Sequence, residues 1–181
     1  MQAADIVQLR EIVINAARQV FPGCGIEIGD QREPVEEAPN TKRLVAFMGF
    51  SGGLIRGSLA LVAPVELMKR AYPLPLASTG PWEIDVFDWS GEVANRLLGR
   101  IKNELAARGV EVEPSTPRVL HAERLQAVGS MRRMICSLSF MSKDSWIEVW
   151  FDAIAAHDRL VLTPVDPDRE TPSEGDVLLF D

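Results

Sequence analysis

The feature that most restricts this chain is one long helical signal, running from about Asp85 to Arg108 and closed by Gly109. With Ala94 as origin and a helical advance of about 100° per residue, Phe87, Ala94, Leu97, Leu98, Ile101 and Leu105 gather on one side. A helix with a single apolar stripe has to lie against another layer to complete its core. The residues after it predict a sheet. Pro114-Ser115-Thr116-Pro117 breaks the chain, a short strand follows over Arg118–His121, and longer ones over Arg132–Met141 and Ser145–Ile154 are separated by Ser142-Lys143-Asp144. A further strand is predicted over Arg159–Leu162. In the Ser145 strand, Ile147, Val149 and Phe151 alternate with Trp146, Glu148, Trp150 and Asp152, so the tryptophans lie opposite the aliphatic face. Either a helix or a second subunit covers that tryptophan face, or it stays an exposed rim.

Upstream, Ile6, Leu9, Val13, Ile14, Ala17 and Val20 recur at helical spacing from Asp5 to Phe21, and Phe21-Pro22-Gly23 supplies a stop. The stretch from Gly29 to Asn40 reads as a polar loop. Arg43–Ser51 and Gly53–Val62 read as paired strands around Ser51-Gly52-Gly53, with Leu44, Ala46, Met48 and Phe50 on one side. A short helix follows from Pro64 to Ala71 and ends near Tyr72-Pro73. Together these elements predict an α+β domain over residues 1–164, helices packed on a mainly antiparallel sheet, without internal repeats. Residues 165–181 carry Asp166, Asp168, Glu170, Glu174 and Asp176 and read as an acidic, flexible tail, whose ending Val177-Leu178-Leu179-Phe180 is apolar enough to dock back.

At 181 residues the chain is long enough to bury roughly two-thirds of its unfolded surface, so it needs no structural metal or disulfide. Cys24 and Cys136 are expected to be reduced, buried thiols. With 26 acidic against 19 basic residues and a net charge of -7, the surface has no general attraction for nucleic acid or anionic lipid. The N-terminus lacks a basic region followed by an apolar run, and no apolar stretch is long enough to span a bilayer. A cytoplasmic location is expected.

On the long helix, Asp88, Glu92, Asn95 and Gly99 fall in a strip about 130° from the core stripe. Gly99 lies one turn beyond Asn95, and Gly91 directly precedes Glu92. Glycine in a helix costs about 1 kcal/mol against alanine, and removing side chains there lets a macromolecular backbone or bulky anion approach Asn95. Taken alone, the acids and amide also suit a solvated helix face. Glu92 alone would suit the positive helix end, and Asp88 a helix cap.

The run from Asp88 to Leu105, with its Glu92-Val93-Ala94-Asn95 core followed by Gly99, strongly resembles the active-site helix of the CheC/CheX/FliY family of chemotaxis phosphatases. That helix has an Asp or Ser one turn before the Glu, matched by Asp88, and a later proline opening a strand, matched with a small offset by Pro117. Phe50-Ser51-Gly52-Gly53-Leu54-Ile55-Arg56-Gly57 is similar to the family's first hairpin. A single Glu-x-x-Asn helix makes the chain CheX-like. The resemblance implies hydrolysis of the aspartyl phosphate of a CheY-like response regulator, with Asn95 orienting the attacking water and Glu92 pairing with the regulator's lysine. It implies a homodimer, with no cofactor on this chain and Mg²⁺ on the partner receiver domain. The alternative is a non-catalytic receiver-binding or flagellar-switch adaptor on the same fold.

Other motifs fall short. Ser51-Gly52-Gly53 has no phosphate-loop lysine and reads as a hairpin turn. His121 and His157 are isolated, which predicts strand-end or surface positions rather than bases, and there is no nucleophile elbow.

Overall fold

The computed structural model describes residues 3–32, 42–74, 82–122, 134–143, 145–155, 160, 162 and 163. Helix α1 (Ala3–Gly23) leads through β1 (Gln31–Arg32) to the hairpin β2 (Arg43–Ser51) and β3 (Ile55–Pro64). Helices α2 (Val65–Ala71) and α3 (Trp82–Ala106) follow, then β4 (Glu113–Pro114), β5 (Arg118–Ala122), β6 (Met134–Ser142) and β7 (Ser145–Ala155). The strands form one sheet in the order β1-β6-β7-β3-β2-β4, with β5 also on β2. Every pairing is antiparallel. The α+β architecture anticipated from the strand and helix runs is the one observed.

Alternation along the strands places the core. Leu44, Ala46, Met48 and Phe50 of β2 are all buried, opposite Ala63, Leu61, Leu59 and Gly57 of β3. Ile147, Val149 and Phe151 continue the layer on β7, and Leu138 and Phe140 on β6. Phe50 stacks on Phe151 with ring centroids 5.2 Å apart, while Phe21 of α1 meets Phe140 edge-on at 5.8 Å. Helix α3 packs on β2, β3, β4 and β5, α1 packs on α3 and β6, and α2 packs on α3 and β3. Cys24 and Cys136 are buried thiols in this core.

The opposite sheet face carries Trp146, Glu148, Trp150 and Asp152, as the alternation requires. Glu148 is buried there, accepting from Arg43 Nη1 at 3.2 Å and from Trp150 Nε1 at 2.9 Å. Val45, Ala60 and Val62 form a small second cluster beside Trp150 and Ala122. The tryptophan side is thus partly covered and tied by a charge-assisted network.

Four expectations are corrected. Gln31–Arg32, inside the predicted polar loop, pairs with Phe140 and Ser139 of β6 because an unpaired sheet edge recruits adjacent backbone; residues 33–41 lie outside the described residues. Strand β3 starts at Ile55 rather than Gly53, since Gly52 is pressed against the Glu111 carbonyl and belongs to the turn. Leu160 and Leu162, expected in a strand, are buried in the core without strand structure; Thr163 Oγ1 instead donates to the Arg108 carbonyl at 2.7 Å. Ile6, placed on the buried stripe of α1, is exposed. The acidic tail and His157 lie outside the described residues.

Gly57 shows how closely β3 and β7 approach. A Cβ there would collide with the Asp152 carbonyl and stand 2.8 Å from the Ala153 Cα and 2.7 Å from the Phe50 ring. Gly57→Ala should therefore destabilise the fold by about 3 kcal/mol, as overpacking does, lowering the thermal midpoint by roughly 10 °C. Thermal denaturation followed by circular dichroism checks this; an unchanged midpoint would mean the two strands can move apart.

Candidate active site on helix α3

Local chemistry stiffens α3 at both ends. Glu83 and Asp85 sit in its first turn, where the helix dipole favours negative charge. At the other end Gly109 adopts φ +79°, which a residue with a Cβ resists. This lets Val110 N donate to Leu105 O and Gly109 N to Ala106 O, each at 3.0 Å, closing the helix in a Schellman motif. Glu104 binds Arg100 through one oxygen and Arg108 through the other, both at 2.9 Å.

The buried side of α3 consists of Val86, Val93, Ala94, Leu97, Leu98, Ile101 and Leu105, with Phe87 partly buried against the core. The flank read from the helical wheel is accessible. Asp88 and Asn95 are exposed, and Glu92 and Gly99 are half-buried. Burial of the opposite stripe therefore turns the carboxylate and the carboxamide outward along one line, one turn apart. Asn95 makes no hydrogen bond among the described residues, so its oxygen and NH₂ group are available to an incoming molecule. A Cβ added at Gly99 would meet nothing within 4 Å, leaving open space beside Asn95.

Glu92 has a partner that the motif did not announce. Its Oε1 accepts from Arg96 Nε at 2.8 Å. The Arg96 guanidinium carbon lies 5.6 Å from the centroid of the Trp89 ring, and Trp89 meets Tyr72 edge-on at 6.3 Å. The Glu-to-Arg spacing of one turn was readable as an ion pair; the Trp89 and Tyr72 contacts depend on the packing of α2 against α3 and left no sequence signal.

Three sequence readings change. Because α3 begins at Trp82, Asp88 lies in its second turn and cannot cap it. For the same reason Glu92 is too far inside the helix for the end of the dipole to explain it. Gly91 does not widen the approach to Asn95: it is buried, and a Cβ there would stand 3.5 Å from Pro117 and from Val119. Its contact is with the segment that opens β5, so Gly91 and Pro117 act together in seating α3 on the sheet. His121, next to last on β5, is exposed and lies 6.5 Å from the Phe87 ring, a strand-end position as expected. Ser51 ends β2 opposite Arg56, in a hairpin rather than a phosphate loop.

An exposed carboxamide beside a carboxylate, on a rigid helix with clearance at Gly99, can bind a cation on one side and a water on the other. The model of the chemotaxis phosphatase CheX family matches residues 44–139, which include β2 from Leu44 onward, β3, α3 and the whole strip. Chemotaxis protein CheX from Desulfovibrio desulfuricans superposes with a TM-score of 0.63 at 17% identity, covering 81% of this chain and 99% of that one. The CheX-CheY-BeF3-Mg complex from Borrelia burgdorferi gives a TM-score of 0.60 at 17% identity, covering 79% and 96%. Chemotaxis protein CheX from Vibrio vulnificus gives 0.58 at 19% identity, covering 81% and 99%. No curated protein matches the chain in sequence.

Proposed function

The chain belongs to the chemotaxis phosphatase CheX family, and on that premise we propose that it hydrolyses the aspartyl phosphate of a CheY-like response regulator. The observation that carries this reading is the outward placement of Glu92 and Asn95, one turn apart on the helix that the family match contains.

In the reaction a water oxygen bonds to phosphorus and the bond from phosphorus to the regulator's aspartyl oxygen breaks. The products are a restored carboxylate and inorganic phosphate. The acyl phosphate is already activated and its transition state is loose, so the protein's task is mainly to place the water in line. Asn95 suits that task. Its carbonyl oxygen accepts from the water, its NH₂ donates, and being neutral it does not repel the phosphoryl oxygens. Glu92 pairs with the regulator's lysine and fixes the docked orientation. Mg²⁺ belongs to the regulator in this reading. Among the described residues no group of three or more His, Cys, Asp or Glu converges on a metal position, and no step is assigned to a metal on this chain. A homodimer and a cytoplasmic location, where the regulator would be met, complete the proposal.

The test separates turnover from docking. Added to a phosphorylated CheY-like receiver of the same organism, the protein should speed phosphate release. Tight binding without any acceleration would replace the phosphatase reading with that of an adaptor.

Two glycines refine the docking model. Gly99→Ala should raise stability by about 1 kcal/mol through helix propensity, since its Cβ meets nothing, yet lower kcat/KM on the receiver several-fold by filling the clearance beside Asn95. Gly91→Ala places its Cβ in ordinary contact with Pro117 and Val119, and should leave kcat/KM unchanged. Equal activity in both variants would show that Gly99 lies outside the contact.

A further inference from the structure

We infer that Arg96 is a positioning residue that holds the Glu92 carboxylate ready for the regulator's lysine, and that Trp89 in turn holds Arg96. The inference rests on the role proposed above for Glu92.

The geometry joins three residues on one flank of α3. Arg96 Nε donates to Glu92 Oε1 at 2.8 Å, and the same guanidinium lies 5.6 Å from the Trp89 ring centroid, within cation–π range. Trp89 is braced edge-on by Tyr72, the C-cap residue of α2. The bracing therefore reaches α3 from a second element. Glu92 and Arg96 side chains are 44% and 38% exposed, and an ion pair so accessible contributes little to fold stability. Its consequence lies in ordering. A glutamate on a solvated face samples many rotamers and loses that freedom when it docks, so fixing it beforehand favours the complex.

The bond engages one carboxylate oxygen. Among the described residues the other has no partner, which leaves it for an incoming ammonium group, and a carboxylate has lone pairs for both cations. Arg96 also repels that ammonium, but both charges stand in water-screened surroundings, and the phosphoryl group arriving beside Asn95 attracts Arg96. Ordering therefore outweighs competition. Arginine suits the position because its guanidinium can lie over an indole while Nε makes the bond to the carboxylate; the ammonium of lysine provides a point charge without the planar fork.

The experiment measures two quantities for wild type, Arg96→Ala, Arg96→Gln, Arg96→Lys and Trp89→Leu. One is steady-state phosphate release from the phosphorylated receiver; the other is the Kd for the same receiver activated with beryllofluoride, which requires no turnover. Arg96→Ala and Arg96→Gln should raise KM and Kd about fivefold with kcat changed less than twofold. Arg96→Lys should recover part of the loss, and Trp89→Leu should fall between wild type and Arg96→Ala. Circular dichroism on each variant confirms the helix. A Kd for Arg96→Ala equal to or below that of wild type would overturn the inference, the lower value meaning that Arg96 competes with the lysine. A loss confined to kcat would overturn it as well. If wild type binds the receiver without accelerating phosphate release, the catalytic reading fails, while the Kd series still decides the role of Arg96.

Discussion

Asn95→Ala should lower the rate of phosphoryl hydrolysis at saturating receiver by about 100-fold, the order of loss expected when a reacting water is no longer held in line, while Kd for the beryllofluoride-activated receiver changes less than twofold. The separation follows from where Asn95 sits. It is exposed, packs into no core and makes no hydrogen bond among the described residues, so removing its carboxamide disturbs nothing that shapes the helix. Asn95→Asp sharpens the comparison because it keeps the shape and replaces the NH₂ donor with negative charge. It should also be slow, through repulsion of the phosphoryl oxygens and loss of a donor. Single-turnover decay of radiolabelled phosphoreceiver reads both variants. Full activity in Asn95→Ala would remove the amide from the mechanism.

Glu92→Lys should raise KM for the receiver by about 100-fold or more. A charge-assisted hydrogen bond at an interface contributes about 1.5–3 kcal/mol, and reversal adds repulsion between two cations. Glu92→Ala should cost about tenfold, the lower end of that range, and both variants should retain a larger share of kcat than Asn95→Ala. Glu92→Ala also deletes one negative charge beside Arg96, from the pair at 2.8 Å, so the docking face becomes more positive by one charge, and higher salt should recover part of its loss. Receiver titrations at two ionic strengths measure this. An unchanged KM in Glu92→Lys would place the regulator's lysine elsewhere.

Much of the fold was legible because its main elements carry strong periodicity. The apolar stripe of α3 holds through Leu97, Leu98, Ile101 and Leu105, and the alternation of β2 through Leu44, Ala46, Met48 and Phe50; all eight are buried. Periodicity says nothing about partners. Hence the polar composition of Gln31–Arg32 predicts loop although β6 pairs with it, and the apolar spacing of Leu160 and Leu162 predicts a strand although burial alone accounts for them. Helix α3 starts three residues before the predicted Asp85, because Trp82, Glu83 and Ile84 add no new turn to the apolar stripe. A start at Asp85 would bring Asp88 into the first turn, close to the capping position; the start at Trp82 moves it inward. At the site, Glu92, Asn95 and Gly99 were readable because one helix fixes their relation. The packing role of Gly91 is not legible, since its neighbours, Pro117 and Val119, lie more than twenty residues along the chain, and the contact of Trp89 with Tyr72, which precedes α3, is likewise set by packing between elements.

The central claim is that this protein accelerates loss of phosphate from a receiver domain by means of Asn95. It is tested most directly by following one phosphorylated CheY-like receiver of the same organism, with Mg²⁺ present, alone, with wild type and with Asn95→Ala. The account predicts rapid decay with wild type and a return to the receiver's own rate with Asn95→Ala. Decay at the receiver's own rate with wild type, across every receiver of the organism, would contradict it.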